Sequence, residues 1–201
     1  MAYIFQNMAK RGQVPAFLAK TQQNVRDWWR ARSQEMIHTR PERLVKQKGF
    51  IQRSVSKIDD SMIGKMILFS YDPKHKKTLP YYDRYPMVFP IEIYTDGFLG
   101  INLHYLPFMM RARLMDALYE TMITNENNEK ERLAISYQIL SSSSKFKYFR
   151  PCIKRYLAGH VRSTLYNVNV DDWDKALMLP LARFEKKTQT QVWAESMKKI
   201  K

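Results

Sequence analysis

Three stretches of this sequence set cations beside aromatic rings. Lys74, Lys76 and Lys77 surround His75, and Tyr81, Tyr82, Arg84 and Tyr85 follow closely. The run from Lys145 to Arg150 interleaves Lys145, Lys147 and Arg150 with Phe146, Tyr148 and Phe149. Lys154 and Arg155 precede Tyr156, and far upstream Arg26 and Arg30 flank Trp28 and Trp29. Cations neutralise phosphates, and aromatic faces stack on exposed bases or frayed duplex ends. The set read as nucleic-acid-contacting is Lys74, Lys76, Lys77, Arg84, Lys145, Lys147, Arg150, Lys154, Arg155, Arg26 and Arg30. The blander assignment is an aromatic core with a solvated cationic rim. It is the better one for Phe146 and Phe149, and helix packing is the better one for Trp28 and Trp29.

Residues for catalysis are harder to find. Neither common phosphate-cradling glycine motif occurs, nor HExxH, paired CxxC or GxSxG. His38, His75, His104 and His160 stand in unrelated contexts, and Cys152 is the only cysteine, so no metal or other cofactor is expected. Asp72, Asp83, Glu92 and Asp96 would be the carboxylates of a metal-dependent nuclease. Their spacing matches no nuclease pattern, and Asp beside Lys in turns more often caps or solvates. No enzymatic activity is expected.

The whole composition agrees with a polyanionic partner. The chain of 201 residues carries 34 Lys+Arg against 19 Asp+Glu, a formal charge of +15. Such an imbalance speaks about partners, not fold. Nucleic acid and anionic membrane are the usual partners. Membrane ranks lower because the cations are spread over the chain instead of gathered on one terminal amphipathic helix. No stretch approaches the roughly 20 apolar residues of a membrane span. The N-terminus lacks a secretory pattern, and a single cysteine suits a reducing compartment. At 45% hydrophobic and 13% aromatic residues a packed core is expected.

The elements that must position these residues read as α+β. Residues 1–62 form an expected basic helical region, and 63–201 an α+β core domain. In the first, Leu44, Ile51, Val55, Ile58 and Met62 continue a helical apolar stripe. In the second, a small antiparallel sheet or barrel over about 63–106 is surrounded by basic amphipathic helices. Met87–Tyr94 and Phe98–Tyr105 read as strands joined at Thr95-Asp96-Gly97, with Pro90 marking an edge or a bulge. Pro107 opens a helix whose apolar face holds Met110 and Leu114 while Arg111 points elsewhere. Pro151 opens another carrying Lys154, Arg155, His160 and Arg162. Thr188 and Gln191 make a capping box for a C-terminal helix.

Several segments also carry a family resemblance. Tyr71-Asp72-Pro73-Lys74, Leu79-Pro80-Tyr81-Tyr82-Asp83, Tyr85-Pro86 and the run from Gly97 to Pro107 resemble the DNA end protector family of T-even-like tailed bacteriophages. Phe146–Cys152 and Gln191-Val192-Trp193 fit the same family, so the resemblance covers roughly 60–200. It implies a protein made in the host cytoplasm and carried in the virion. There it would bind the end of linear double-stranded DNA and shield it from exonuclease, alongside other virion proteins. It implies no catalytic residues. The competing reading is a structural completion protein of phage neck, tail or baseplate without intrinsic DNA-end activity.

Overall fold

The computed structural model describes residues 51–55, 57–108, 110, 111, 114, 115, 141, 146–168, 176, 177 and 181–200. Its centre is an open six-stranded antiparallel sheet in the order β1-β7-β2-β4-β5-β6, built from β1 (Ile51–Val55), β2 (Ile67–Leu68), β4 (Met87–Tyr94), β5 (Gly97–Asn102), β6 (Ile153–Leu157) and β7 (Leu165–Val168). A second ladder pairs β3 (Tyr82–Asp83) with β8 (Phe184–Glu185). The sheet is not a closed barrel: β1 and β6 are its edges, and an isolated bridge joins Tyr71 to Val161.

The β4–β5 hairpin forms where the sequence places it. Tyr94 pairs with Gly97 across Thr95 and Asp96. Gly97 has φ +154, and a Cβ there would lie 2.0 Å from the Tyr156 carbonyl oxygen of β6, so only glycine fits. The register shifts between Pro90 and Glu92, so the proline sits at a bulge of an interior strand. Both faces of the sheet are covered, which is why Met87–Ile91 is buried at five successive positions. Side chains alternate between the two sides. Met66, Leu68, Met87 and Phe89 join one core with Tyr105, Leu106, Phe149, Cys152, Val192 and Ile200. Ile67, Phe69 and Val88 join the other with Tyr71, Phe98 and Tyr156. In that second core Tyr156 lies 5.0–5.3 Å from the Tyr71, Phe69 and Phe98 rings, contacts that each add about 0.5–1.5 kcal/mol beyond burial.

Two expected helices are strands. Ile51 and Val55 are compatible with helical spacing, but residues 51–55 pair antiparallel with β7. Pro151 sits in a 3-10 turn, and the chain then extends as β6 with Arg155 exposed and Tyr156 buried. The alternation of Lys154, Arg155 and Tyr156 therefore follows a period of two, not 3.6. The capping box is made: Gln191 Oε1 accepts from the Thr188 amide at 2.9 Å, and Thr188 Oγ1 accepts from the Gln191 amide at 3.3 Å. It starts α2 (Gln189–Ile200), which buries Val192, Ser196 and Ile200. A one-turn helix, α1 (Phe146–Phe149), precedes the 3-10 turn. Most of the expected mantle of basic helices, over 1–50 and 116–140, lies outside the described residues.

Candidate nucleic-acid interface

The candidate cations sit on a scaffold whose centre is a buried polar knot. Asp83, on β3, is 3% exposed and receives four donors. They are the amides of Tyr85 and Arg183 on Oδ1, both at 3.1 Å, and on Oδ2 the Asn102 amide nitrogen at 3.2 Å and His104 Nδ1 at 2.7 Å. Asn102 also donates to the Tyr156 hydroxyl and accepts from the His104 amide, each at 3.0 Å. Burial would raise the Asp83 pKa, but His104 and the other donors outweigh it and hold the carboxylate ionised. Burial pulls the His104 pKa down, so a neutral imidazole donates from Nδ1 and leaves Nε2 without a hydrogen-bond partner among the described residues.

Arg111 belongs to the same knot, which corrects the outward orientation expected for it. It is fully buried, and its guanidinium donates to the carbonyls of Leu106 (2.8 Å), Leu177 (3.0 Å) and His104 (3.4 Å). The group lies over Phe108 and Trp193, and Trp193 Nε1 donates to the same His104 carbonyl at 2.9 Å. Burial lowers the Arg111 pKa to about 9, still charged at neutral pH. The motif run from Gly97 to Pro107 is thus the inside of the fold.

The knot fixes where the basic loop stands. Asp83 holds the Arg183 amide, and the β3–β8 ladder brings residues 183–187 beside the loop after Tyr71. Lys186, at φ 70, donates its ammonium to the carbonyls of Lys77 (2.8 Å) and Leu79 (2.7 Å), pinning that loop. Lys74, Lys76 and Lys77 are exposed on it. Lys76 is paired with Asp72 at 3.0 Å and Arg84 with Glu185 at 3.4 Å, whereas Lys74 and Lys77 meet no carboxylate among the described residues. Arg162 and His160 come alongside, since the Arg162 amide donates to the Ser70 carbonyl and His160 Nδ1 bonds the Asp72 carbonyl at 2.8 Å.

A second cationic zone joins the first through the C-terminal helix. Lys187 lies over the Tyr81 ring at 4.7 Å and pairs with Glu195 on α2. Tyr81 packs on Tyr105 at 5.9 Å, and Lys154 lies 4.3 Å over Tyr105. Lys154 is partly buried; desolvation, reinforced by nearby Lys199, lowers its pKa to about 8. The turn of Arg150–Cys152 packs on α2, with Lys147 and Arg150 exposed. These contacts link the Lys74–Lys77 loop, Lys186, Lys187 and Lys154 in turn into a basic band, with Lys199 of α2 near Lys154. The twelve residues of α2 beside them span about 18 Å, roughly five base-pair steps.

Some expected site residues stand apart. Arg155 pairs with Asp96 and covers the Tyr94 ring at 4.1 Å, on the hairpin side of β6. Arg26, Arg30 and Lys145 lie outside the described residues. Arg183, Lys186, Lys198 and Lys199 were missed by sequence reasoning, although Phe184-Glu185-Lys186-Lys187 carries the same cation-beside-aromatic signal. The nuclease carboxylates do not converge: Asp83 is buried in the knot, Asp72 faces Lys76 and Asp96 faces Arg155. Among the described residues no three His, Cys, Asp or Glu side chains come together as a metal ion requires, and no helix is long and apolar enough to cross a membrane.

Comparison with known protein families matches this chain, over residues 10–199, to the family described as the phage T4 terminal DNA protecting protein. The chain belongs to that family. The match includes the knot, the pinned loop and the whole band, and it reaches well upstream of the segments on which the resemblance was recognised. No curated relative and no solved structure matches the chain. For this family member, the distinctive tyrosine, glycine and histidine motifs build the scaffold, and the cations around them form the surface.

Proposed function

We propose that this protein, carried in the phage particle, binds the ends of linear double-stranded DNA through the basic surface, without chemistry on the DNA, and protects them from host exonuclease. The observation that carries the reading is the contiguous band on a scaffold of the terminal DNA protecting family. In support of it, the Lys74–Lys77 loop and the chain-distant Lys154 are linked through Lys186, Lys187, Tyr81 and Tyr105. Backbone neutralisation of this kind is blind to sequence, as a protector of a fixed terminus can be. Non-enzymatic action is supported by the separate engagement of Asp72, Asp83 and Asp96. Residence in the virion beside neck, tail or baseplate proteins follows from the same family reading.

The test is protection. Linear duplex, the same duplex with blocked ends and closed circles are each mixed with the protein, and a processive exonuclease is added to the linear forms. Survival of open linear DNA, with weaker binding to circles, is expected. If six to ten phosphates are engaged, affinity falls roughly 10³–10⁵-fold between about 50 and 200 mM salt. Normal degradation together with stable binding to an isolated head or tail component would replace this reading with the structural completion protein.

A further inference from the structure

Nothing in a cationic band tells the end of a duplex from its middle, because the phosphates are the same in both. We propose that Tyr148 is the residue that recognises the end, its exposed ring stacking on the terminal base pair while Lys147 and Arg150 hold the flanking phosphates. The inference rests on the DNA-end reading above and adds to it a residue and a mode of contact.

An end differs from internal duplex in exposing the flat face of a base pair, a feature that a protein surface can read directly. An aromatic side chain at the rim of the band is the group that matches it, and stacking tolerates any base. Among the described residues two large apolar side chains are exposed, Tyr94 at 38% and Tyr148 at 36%. Tyr94 is engaged already. The Arg155 guanidinium covers its ring at 4.1 Å and is itself fixed by Asp96 and by the Tyr156 carbonyl.

Tyr148 is placed differently. Its neighbours Phe146 and Phe149 turn toward the core, so the one-turn helix α1 presents the ring from a packed base. The cation near it, Lys147 at 5.2 Å, is an exposed side chain that meets no carboxylate among the described residues. Such a lysine is free to move to a phosphate when a base pair takes the ring face. Arg150 is exposed two residues on, and the turn it begins packs against α2, where the band continues.

The full chain is tested with a short open duplex carrying 2-aminopurine in its terminal pair, and with the same duplex closed by hairpin loops at both ends. The wild-type protein is expected to prefer the open duplex and to change the 2-aminopurine fluorescence. Tyr148→Ala should lose roughly 5- to 150-fold in affinity for the open duplex, with affinity for the closed one unchanged. Tyr148→Phe should keep the preference, since the ring is what stacks. A Tyr148→Ala protein that still prefers open ends as strongly as wild type overturns the role of Tyr148 and leaves end binding intact. A wild-type protein that binds both duplexes equally overturns end binding itself, and the platform with it.

Discussion

The loop of Lys74–Lys77 and the segment Asp83–Arg111 are neighbours in sequence and in space, yet they answer to different physics. The first is solvent-exposed, and its cations make at most one carboxylate contact each among the described residues. The second is buried at its knot residues Asp83, Asn102, His104 and Arg111, and among the described residues each polar side-chain atom of these four is matched to a named donor or acceptor except His104 Nε2. A change in the loop alters what the surface attracts and leaves the fold standing. A change in the knot leaves orphaned buried groups, at a cost set by desolvation. The residues that look most like a signature are therefore scaffold, and the proposed DNA contacts lie on the surface around them.

The strongest way to break this contrast is at Asp83. Asp83→Ala strips four donors of their acceptor at once and releases the 183–187 segment that pins the loop. A loss of about 3–5 kcal/mol is expected against a total stability of only about 5–15 kcal/mol. Urea unfolding measures it, and DNA protection should vanish with the fold. A near-neutral Asp83→Ala would mean that the knot does not hold the scaffold.

The matching change on the surface is Lys74→Ala, Lys77→Ala and Lys186→Ala combined. Each lysine that meets a phosphate contributes about 0.9 to the log–log salt slope, and so roughly fivefold in affinity near physiological salt. The triple variant should lose roughly a hundredfold in DNA affinity, with a slope shallower by up to about 2.7. Its unfolding midpoint should shift little, the main structural loss being the Lys186 contacts to the carbonyls of Lys77 and Leu79. An unchanged salt slope would remove this loop from the interface.

Lys154 stands between the two regimes, and pH separates its two roles. In the free protein its pKa is lowered from 10.5 to about 8, burial being the main cause. Between those values the unfolded chain holds a proton that the folded chain has released, so this group makes stability rise with pH across the window. DNA binding should respond in the opposite direction. A phosphate beside Lys154 favours the charged form, so binding above about pH 8 takes up a proton and affinity falls as pH rises, by at most about tenfold per unit. Below pH 8 the group contributes slope to neither. Lys154→Met should abolish both trends together, checked by urea midpoints and Kd from pH 7 to 10. If it leaves the binding slope intact, another group titrates at the interface.

What sequence could reveal follows the same division. The hairpin at Thr95–Gly97, the bulge at Pro90 and the Thr188–Gln191 capping box are written in local residue chemistry, and all three form. Strands β1 and β6 were misread because Ile51 with Val55, and the start at Pro151, suit either period. Pairing with β7 and β5, chosen by long-range contact, decided them. Arg111 was set off the expected face of Met110 and Leu114, yet it lies three and four residues before the buried Leu114 and Met115. Its charge argued it outward, and only the three carbonyls gathered around it explain its burial. The cation–aromatic runs named only part of the cationic surface that the fold assembles. Lys186 and Lys199 join the band through tertiary packing that no local pattern encodes.

The smallest effect expected is also the one that tests whether the loop's charges are available to DNA. Lys76 lies 3.0 Å from Asp72 in an exposed i,i+4 pair, with side chains 50% and 39% exposed. A phosphate approaching Lys76 must compete with that carboxylate, whose pKa the lysine contact lowers, so it stays ionised at neutral pH. Asp72→Asn removes the competitor and one negative charge from the band. The Asp72 backbone contacts to His160 persist, because they use the amide and carbonyl of the main chain. Affinity should therefore rise by roughly two- to fivefold, the scale of an exposed ion pair, with no change in unfolding midpoint beyond error. Because the pair is exposed, the gain should shrink as salt is raised from about 0.1 to 0.3 M. Measured Kd values at both salts check it. A loss of affinity in Asp72→Asn would mean that the carboxylate orients Lys76 for DNA instead of withholding it, which would move Asp72 from the competitors of the interface to its supports.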